Sequence, residues 1–106
     1  SKENQVIVVG SANQDLTSYT ATVPVMGETV MGNTFETNCG GKGANQAVAA
    51  ASLGMVPVSM VCRVADDVFG KNLLNNFRKS QIAALLCESW ESKNYPTLVL
   101  INIFLK

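Results

Sequence analysis

The sequence predicts an α/β domain, and three features predict it. A run of β-branched residues, Val6-Ile7-Val8-Val9, ends at Gly10, as a strand buried on both faces of a parallel sheet would. A stretch dominated by alanine, residues 44–53, stops at Gly54, which suits the left-handed position just beyond a helix. Strand and helix signals then alternate in a βαβα order, which implies parallel strands joined by right-handed crossovers.

The first strand places its carboxyl end at Gly10, the region where open α/β sheets bind ligands. From residue 20 to residue 36 the pattern changes to short alternating segments punctuated by Pro24, Gly27 and Gly32. These are Thr20-Ala21-Thr22-Val23, Thr29-Val30-Met31 and Thr34-Phe35-Glu36, read as small antiparallel strands projecting from the main sheet. Asn38-Cys39-Gly40-Gly41-Lys42-Gly43 is a turn leading into the alanine helix, whose small side chains permit close approach to a sheet. Residues 56–61 alternate like a strand. Asp66-Asp67 precede a helix over 69–79, with acids at its positive end and Arg78-Lys79 at its negative end. Residues 82–86 fit either the end of a helix or the start of a strand, 88–94 read as a polar turn, and 97–105 as a strand.

Bulk composition narrows the function classes. At 106 residues, 47% hydrophobic and 15% charged, the chain has room for one globular domain and no internal boundary, and its stability should be modest. Eight basic residues balance eight acidic ones, giving a net charge of +0 and no electrostatic footprint for nucleic acid or an anionic membrane. The polar start Ser1-Lys2-Glu3-Asn4-Gln5 lacks the apolar core of a signal peptide. The apolar stretch 97–105 is shorter than a membrane span and carries Asn102, so a cytoplasmic location is expected. Cys39, Cys62 and Cys87 are odd in number and widely spaced, which fits reduced thiols rather than disulfides or a zinc motif. With no histidine, Ser-His and Cys-His nucleophile pairs are excluded.

Two segments could carry chemistry. Asn13 and Asp15 follow the first strand at a spacing of two, so an extended backbone points both to one side. A carboxylate and an amide together suit a polyhydroxylated ligand, and they equally suit a turn held by Asx hydrogen bonds. Gly40-Gly41-Lys42-Gly43-Ala44-Asn45-Gln46 exposes backbone N–H groups at a helix start, which serves a ligand or merely begins the helix. It is not a P-loop: Glu36 stands where that motif needs its first glycine, and Gly43 where it needs Ser or Thr. Asp66 and Asp67 read as capping groups rather than metal ligands, Cys39 as a small buried residue, and Trp90 and Tyr95 as shielding for the tail.

Three stretches resemble the ribokinase-like (PfkB) carbohydrate kinase family in order and spacing: Gly10-Ser11-Ala12-Asn13-Gln14-Asp15, Gly27-Glu28-Thr29-Val30, and the run from Gly40 through Gln46 to Ala50. Val64-Ala65-Asp66-Asp67-Val68-Phe69-Gly70 resembles the next signature, with Ala65 where glycine is usual. Later the chain departs from the pattern: Ser80-Gln81 stands where a glycine is common, and Leu98 replaces another.

The resemblance implies the amino-terminal part of a three-layer α/β fold spanning 1–106, with a small antiparallel β lid formed by strands about 20–36 and a further candidate at 96–105. It implies a sugar, D-ribose in the first place, gripped by Asn13, Gln14, Asp15, Gly41, Lys42, Gly43, Ala44 and Asn45. It implies ATP, Mg2+ and a monovalent cation such as K+ for the family, and a homodimer formed through lid strands. The family's Gly-Asp catalytic motif has no match here, so no catalytic residue is assigned to this chain and none of these cofactors is expected to bind it well. Two readings follow: the sugar-binding piece of a truncated kinase, or a non-catalytic sugar-binding or dimerisation module.

Overall fold

A computed structural model of the chain describes residues 4–90 and 96–106. The elements run β1 (Val6–Val9), β2 (Asn13–Thr20), β3 (Thr34–Gly40), α1 (Lys42–Ser52), β4 (Val58–Ala65), α2 (Val68–Lys79), β5 (Ile82–Trp90) and β6 (Val99–Leu105). They form two three-stranded sheets. The main sheet has the order β1-β4-β5 and is wholly parallel. The small sheet has the order β3-β2-β6, with β2 antiparallel to β3 and parallel to β6.

Both helices cover the same face of the main sheet. Val58, Met60, Cys62 and Val64 alternate along β4 and share one core with Ala44 and Ala47 of α1, Leu73 and Phe77 of α2, and Ile82 of β5. Alanines let α1 lie close to the strands, and Ala47 is wholly buried. In α2 the spacing of Gly70, Leu73 and Phe77 presents one inward stripe. Burying Leu73 and Phe77 contributes about 2–3 kcal/mol each. The α2 helix opens on Asp67, whose carboxylate accepts from the Gly70 N–H at 2.7 Å, as a capping aspartate should. The α1 helix closes as expected, with Gly54 at a φ of 66°.

Among the described residues, no helix lies on the opposite face of the main sheet. Ile7 and Val9 are 50% and 77% exposed, contrary to the expectation that β1 is buried on both faces. The reason is topological: β1 is an edge strand, and both crossover helices lie on the other side. Leu85, on the same face as Ile7 and Val9, is exposed as well.

The strands expected at 20–23 and 29–31 are not formed. The extended segment lies earlier, at Asn13–Thr20, and residues 21–33 run as a loop with a turn at Gly27, where φ is 78°. Pro24 and the glycines remove ladder donors and side-chain packing from that loop. The polar Asn-Gln-Asp start of β2 is extended because it has a partner strand on each side. Thr34-Phe35-Glu36 does begin a strand, β3, which runs on to Gly40. The small sheet is therefore mixed rather than antiparallel throughout, since its third strand runs parallel to β2.

Residues 82–86 resolve to a strand, and β5 continues to Trp90, so the polar turn expected over 88–94 does not begin at Glu88. Glu88 and Ser89 stay extended beside Arg63 and Val64 after a register shift in the ladder. The rest of that turn, Tyr95 and the side chains of Cys87 and Trp90 lie outside the described residues. Among the described residues no helix is long and apolar enough to cross a membrane.

Candidate functional site

The site grows from the junction of β1 with the small sheet. Beyond Gly10 the chain stays extended, and Asn13 and Asp15 project from the same face of β2. The Asn13 Nδ2 group donates to Asp15 Oδ1 at 2.7 Å. That bond orients the carboxylate and leaves its second oxygen, Oδ2, beside Gly40. Gly40 faces Asn13 across the β2–β3 ladder.

The glycine-rich turn folds tightly over this junction. Gly41 has a φ of 104°, and a side chain there would stand 2.5 Å from the Ser11 carbonyl oxygen. Gly43 touches the backbone of Gly10 and Ser11, where a Cβ would lie 2.9 Å from three main-chain atoms. These contacts require glycine because backbone meets backbone. The Ala44 N–H is bonded to the Ser11 carbonyl at 3.0 Å, and the helix begins at Gly41 with no side-chain cap. Its amino-terminal dipole thus opens beside Asn13 and Asp15 and favours electron-rich groups there.

The eight residues singled out in the sequence fall into two adjoining segments, 13–15 and 41–45, which the Asn13–Gly40 register draws together. They do not all point one way. Asn13 and Asp15 share a face, whereas Gln14 projects from the other, where its Nε2 donates to the Asn38 carbonyl at 2.9 Å. Ala44 is 3% exposed and belongs to the hydrophobic core, its amide already bonded. Lys42 and Asn45 are exposed on the first turn of α1.

The structure adds residues to this face that sequence reasoning missed. Thr17, Asn38, Glu36 and Asn102 lie on the Asn13–Asp15 side of the small sheet. Asn102 Nδ2 donates to Thr17 Oγ1 at 3.4 Å, and the Tyr19 hydroxyl donates to Glu36 Oε2 at 3.3 Å. The nearby Glu36 charge, with some burial and that hydrogen bond, pushes the Tyr19 phenol above its ordinary range. The available signal was Asn102 itself, a polar residue inside the apolar stretch 97–105. The opposite face of the small sheet carries Phe35, Ile101 and Leu105, 61%, 75% and 62% exposed.

Asp67 caps α2 and bonds to Thr97, and Asp66 makes a long, exposed pair with Lys71 at 3.9 Å. Burial, followed by the charge of Asp15, pushes the Cys39 thiol up despite the opposing effect of Lys79, so Cys39 is no activated nucleophile. Among the described residues no group of three metal-ligating side chains comes together. The glycine-rich turn lacks the P-loop pattern, with Glu36 and Gly43 where that motif needs Gly and Ser or Thr.

Comparison with known proteins gives a consistent picture. Residues 3–99 match the family described as pfkB family carbohydrate kinase. The chain is 47% identical over 78 residues to a ribokinase of Lactococcus lactis subsp. lactis (strain IL1403), covering 74% of this chain and 26% of that protein. It is 48% identical over 71 residues to a deoxyribokinase of Salmonella typhi, covering 67% of this chain and 23% of that protein. The structure of Arabidopsis thaliana ribokinase complexed with ribose and ATP superposes with a TM-score of 0.74 at 31% identity, covering 92% of this chain and 31% of that one. The chain thus spans about a quarter of the length of the curated relatives it matches.

Proposed function

The chain belongs to the pfkB family of carbohydrate kinases, and from that premise we propose that it supplies the sugar-gripping part of an ATP-dependent kinase whose acceptor is D-ribose. The single observation that carries this reading is the Asn13–Asp15 pair, joined at 2.7 Å on one face of β2 and set against the open amino terminus of α1. Asp15 accepts from sugar hydroxyls through Oδ2, Asn13 offers its amide oxygen, and the backbone of Gly41, Lys42 and Gly43 approaches the ligand without side chains in the way. Asn45 and the Lys42 side chain stand at the rim. Gln14 and Ala44 then act from behind, Gln14 by tying β2 to β3 and Ala44 by fixing the helix start.

In this reading ATP, Mg2+ and a monovalent cation, together with the catalytic base, are supplied by sequence outside these 106 residues. This chain holds the sugar and excludes water from it, and the Asn13–Asp15 face of the small sheet, which also carries Leu100 and Phe104, acts as the lid. The opposite face of the same sheet, carrying Phe35, Ile101 and Leu105, favours a homodimer formed through the lid strands.

Titration calorimetry with D-ribose tests the proposal. Asp15→Ala should weaken binding by about 1.5–3 kcal/mol, the worth of a hydrogen bond to a charged group. An unchanged ribose affinity would remove Asp15 from the site. Because a deoxyribokinase matches as well as a ribokinase does, 2-deoxy-D-ribose is the informative competitor, and tighter binding of it would reassign the sugar.

A further inference from the structure

The small sheet joins the body of the domain at three crossings. Two pass through glycine: β1 enters β2 across Gly10, and β3 enters α1 across Gly40 and Gly41. The third, residues 96–98 before β6, has no glycine and is tied down instead. The Asp67 carboxylate accepts from the Thr97 hydroxyl at 2.7 Å and from the Thr97 N–H at 3.0 Å, while also capping α2 through Gly70. The Thr97 Oγ1 atom in turn accepts from the Ala65 N–H, at the end of β4, at 2.8 Å. Thr97 is only 3% exposed, so its hydroxyl is fixed both as donor and as acceptor. Gly70 lets α2 sit against Ala65, for a side chain there would collide with the Ala65 carbonyl oxygen and approach Thr97 Oγ1.

One residue beyond this knot, the Leu98 carbonyl accepts from the Gln14 N–H at 2.9 Å, between Asn13 and Asp15. From there β6 and β2 run in register to the far end of the sheet. We propose that Asp67 and Thr97 are positioning residues that pin the root of β6 to the head of α2, and so hold β2 where Asn13 and Asp15 can grip the ligand. The glycine crossings are held by backbone packing, Gly43 against Gly10 and Gly41 against Ser11, whereas this corner is held by side-chain hydrogen bonds that a single substitution can release. The identity of the ligand rests on the sugar reading above; the anchoring does not.

Hydrogen exchange and D-ribose titration, carried out on the full chain, test both parts. Thr97→Val keeps the shape but removes the oxygen, leaving the Ala65 N–H and one carboxylate bond without a partner. The expected result is about tenfold faster exchange in β6, unchanged exchange in α2, and about tenfold weaker ribose binding. Thr97→Ser, which retains the hydroxyl, should restore both the slow exchange of β6 and the ribose affinity. Should Thr97→Val prevent folding, Asp67→Asn keeps an acceptor for the cap while losing one bond to Thr97, and should shift the same readings by a smaller factor. Equal loosening of β6 and α2, or unaltered ribose affinity with a loosened β6, would overturn the proposal. Should the unmodified chain not bind D-ribose, the sugar reading fails. The exchange contrast alone then upholds the anchor, or overturns it where the contrast is absent.

Discussion

The Asp15 carboxylate lies directly over the bare Cα of Gly40: a Cβ at that position would stand 2.6 Å from Oδ2 and 3.1 Å from Cγ. Glycine is therefore required at residue 40 by the carboxylate rather than by its own backbone angles. Gly40→Ala should swing Asp15 and Asn13 out of alignment, because the obstructed atoms are side-chain ends that can move. We expect about tenfold weaker ribose binding, the value of one charge-assisted hydrogen bond, with little change in thermal midpoint. Calorimetry and a melting curve on the same sample check the two halves.

Gly43→Ala should behave in the opposite manner. There the new Cβ meets the main chain of Gly10 and Ser11 at 2.9 Å, and neither partner can rotate away. Overpacking of that kind costs about 1–3 kcal/mol. Urea unfolding would register it as a lower midpoint at unchanged slope.

Gln81 has a φ of 60°, a left-handed conformation that costs a residue with a Cβ about 1–2 kcal/mol. Gln81→Gly should raise stability by about 0.5–1 kcal/mol, the relief being partly offset by greater freedom in the unfolded chain. A urea midpoint that falls instead would mean that the glutamine side chain contributes more than its backbone loses.

Acid should loosen the anchor at α2. Burial pushes the Asp67 carboxyl up, but hydrogen bonds from the Thr97 N–H, the Gly70 N–H, the Thr97 hydroxyl and the Phe69 N–H outweigh it and hold the group below the usual carboxylate range. Unfolded, Asp67 takes up its proton near pH 4, so just below that pH the unfolded state binds more protons and stability rises with pH. The contribution is complete above about pH 4 and is lost as pH falls through the folded value. The stability difference between the unaltered chain and Asp67→Asn should therefore hold steady above about pH 4 and shrink as pH falls below it. A difference that stays constant would show that charge is not what the bonds at Asp67 favour.

Much of this arrangement was legible in the sequence, for reasons specific to each element. The two helices announced themselves through alanine content, Gly54, Asp67 and the terminal charges, all of them local signals. The pairing of Asn13 with Asp15 followed from a spacing of two along an extended chain. What escaped was decided by partners distant in sequence. The polar segment that opens β2 becomes a strand only because β3 and β6 flank it, and β1 has a core strand's composition while lying at an edge. Gln14 was grouped with its neighbours although strand alternation sends it to the opposite face, where Asn38 receives it. Thr97, with nothing unusual in its surroundings in the sequence, acquires its importance from Asp67 and the Ala65 N–H, 30 and 32 positions away.

The small sheet also dictates an order of assembly. Its central strand meets β3 after one loop, but it meets β6 only through partners such as Thr17 and Asn102, which are 85 positions apart. Closing so long a loop costs more entropy than closing the hairpin, and the slower step waits on synthesis of the intervening chain. While a nascent chain is being made, β2 and β3 can pair as a ribbon whose second edge is open to other molecules. The ligand-facing surface is therefore completed only once β6 has docked beside β2, and until then the open side of β2 is an unpaired strand edge.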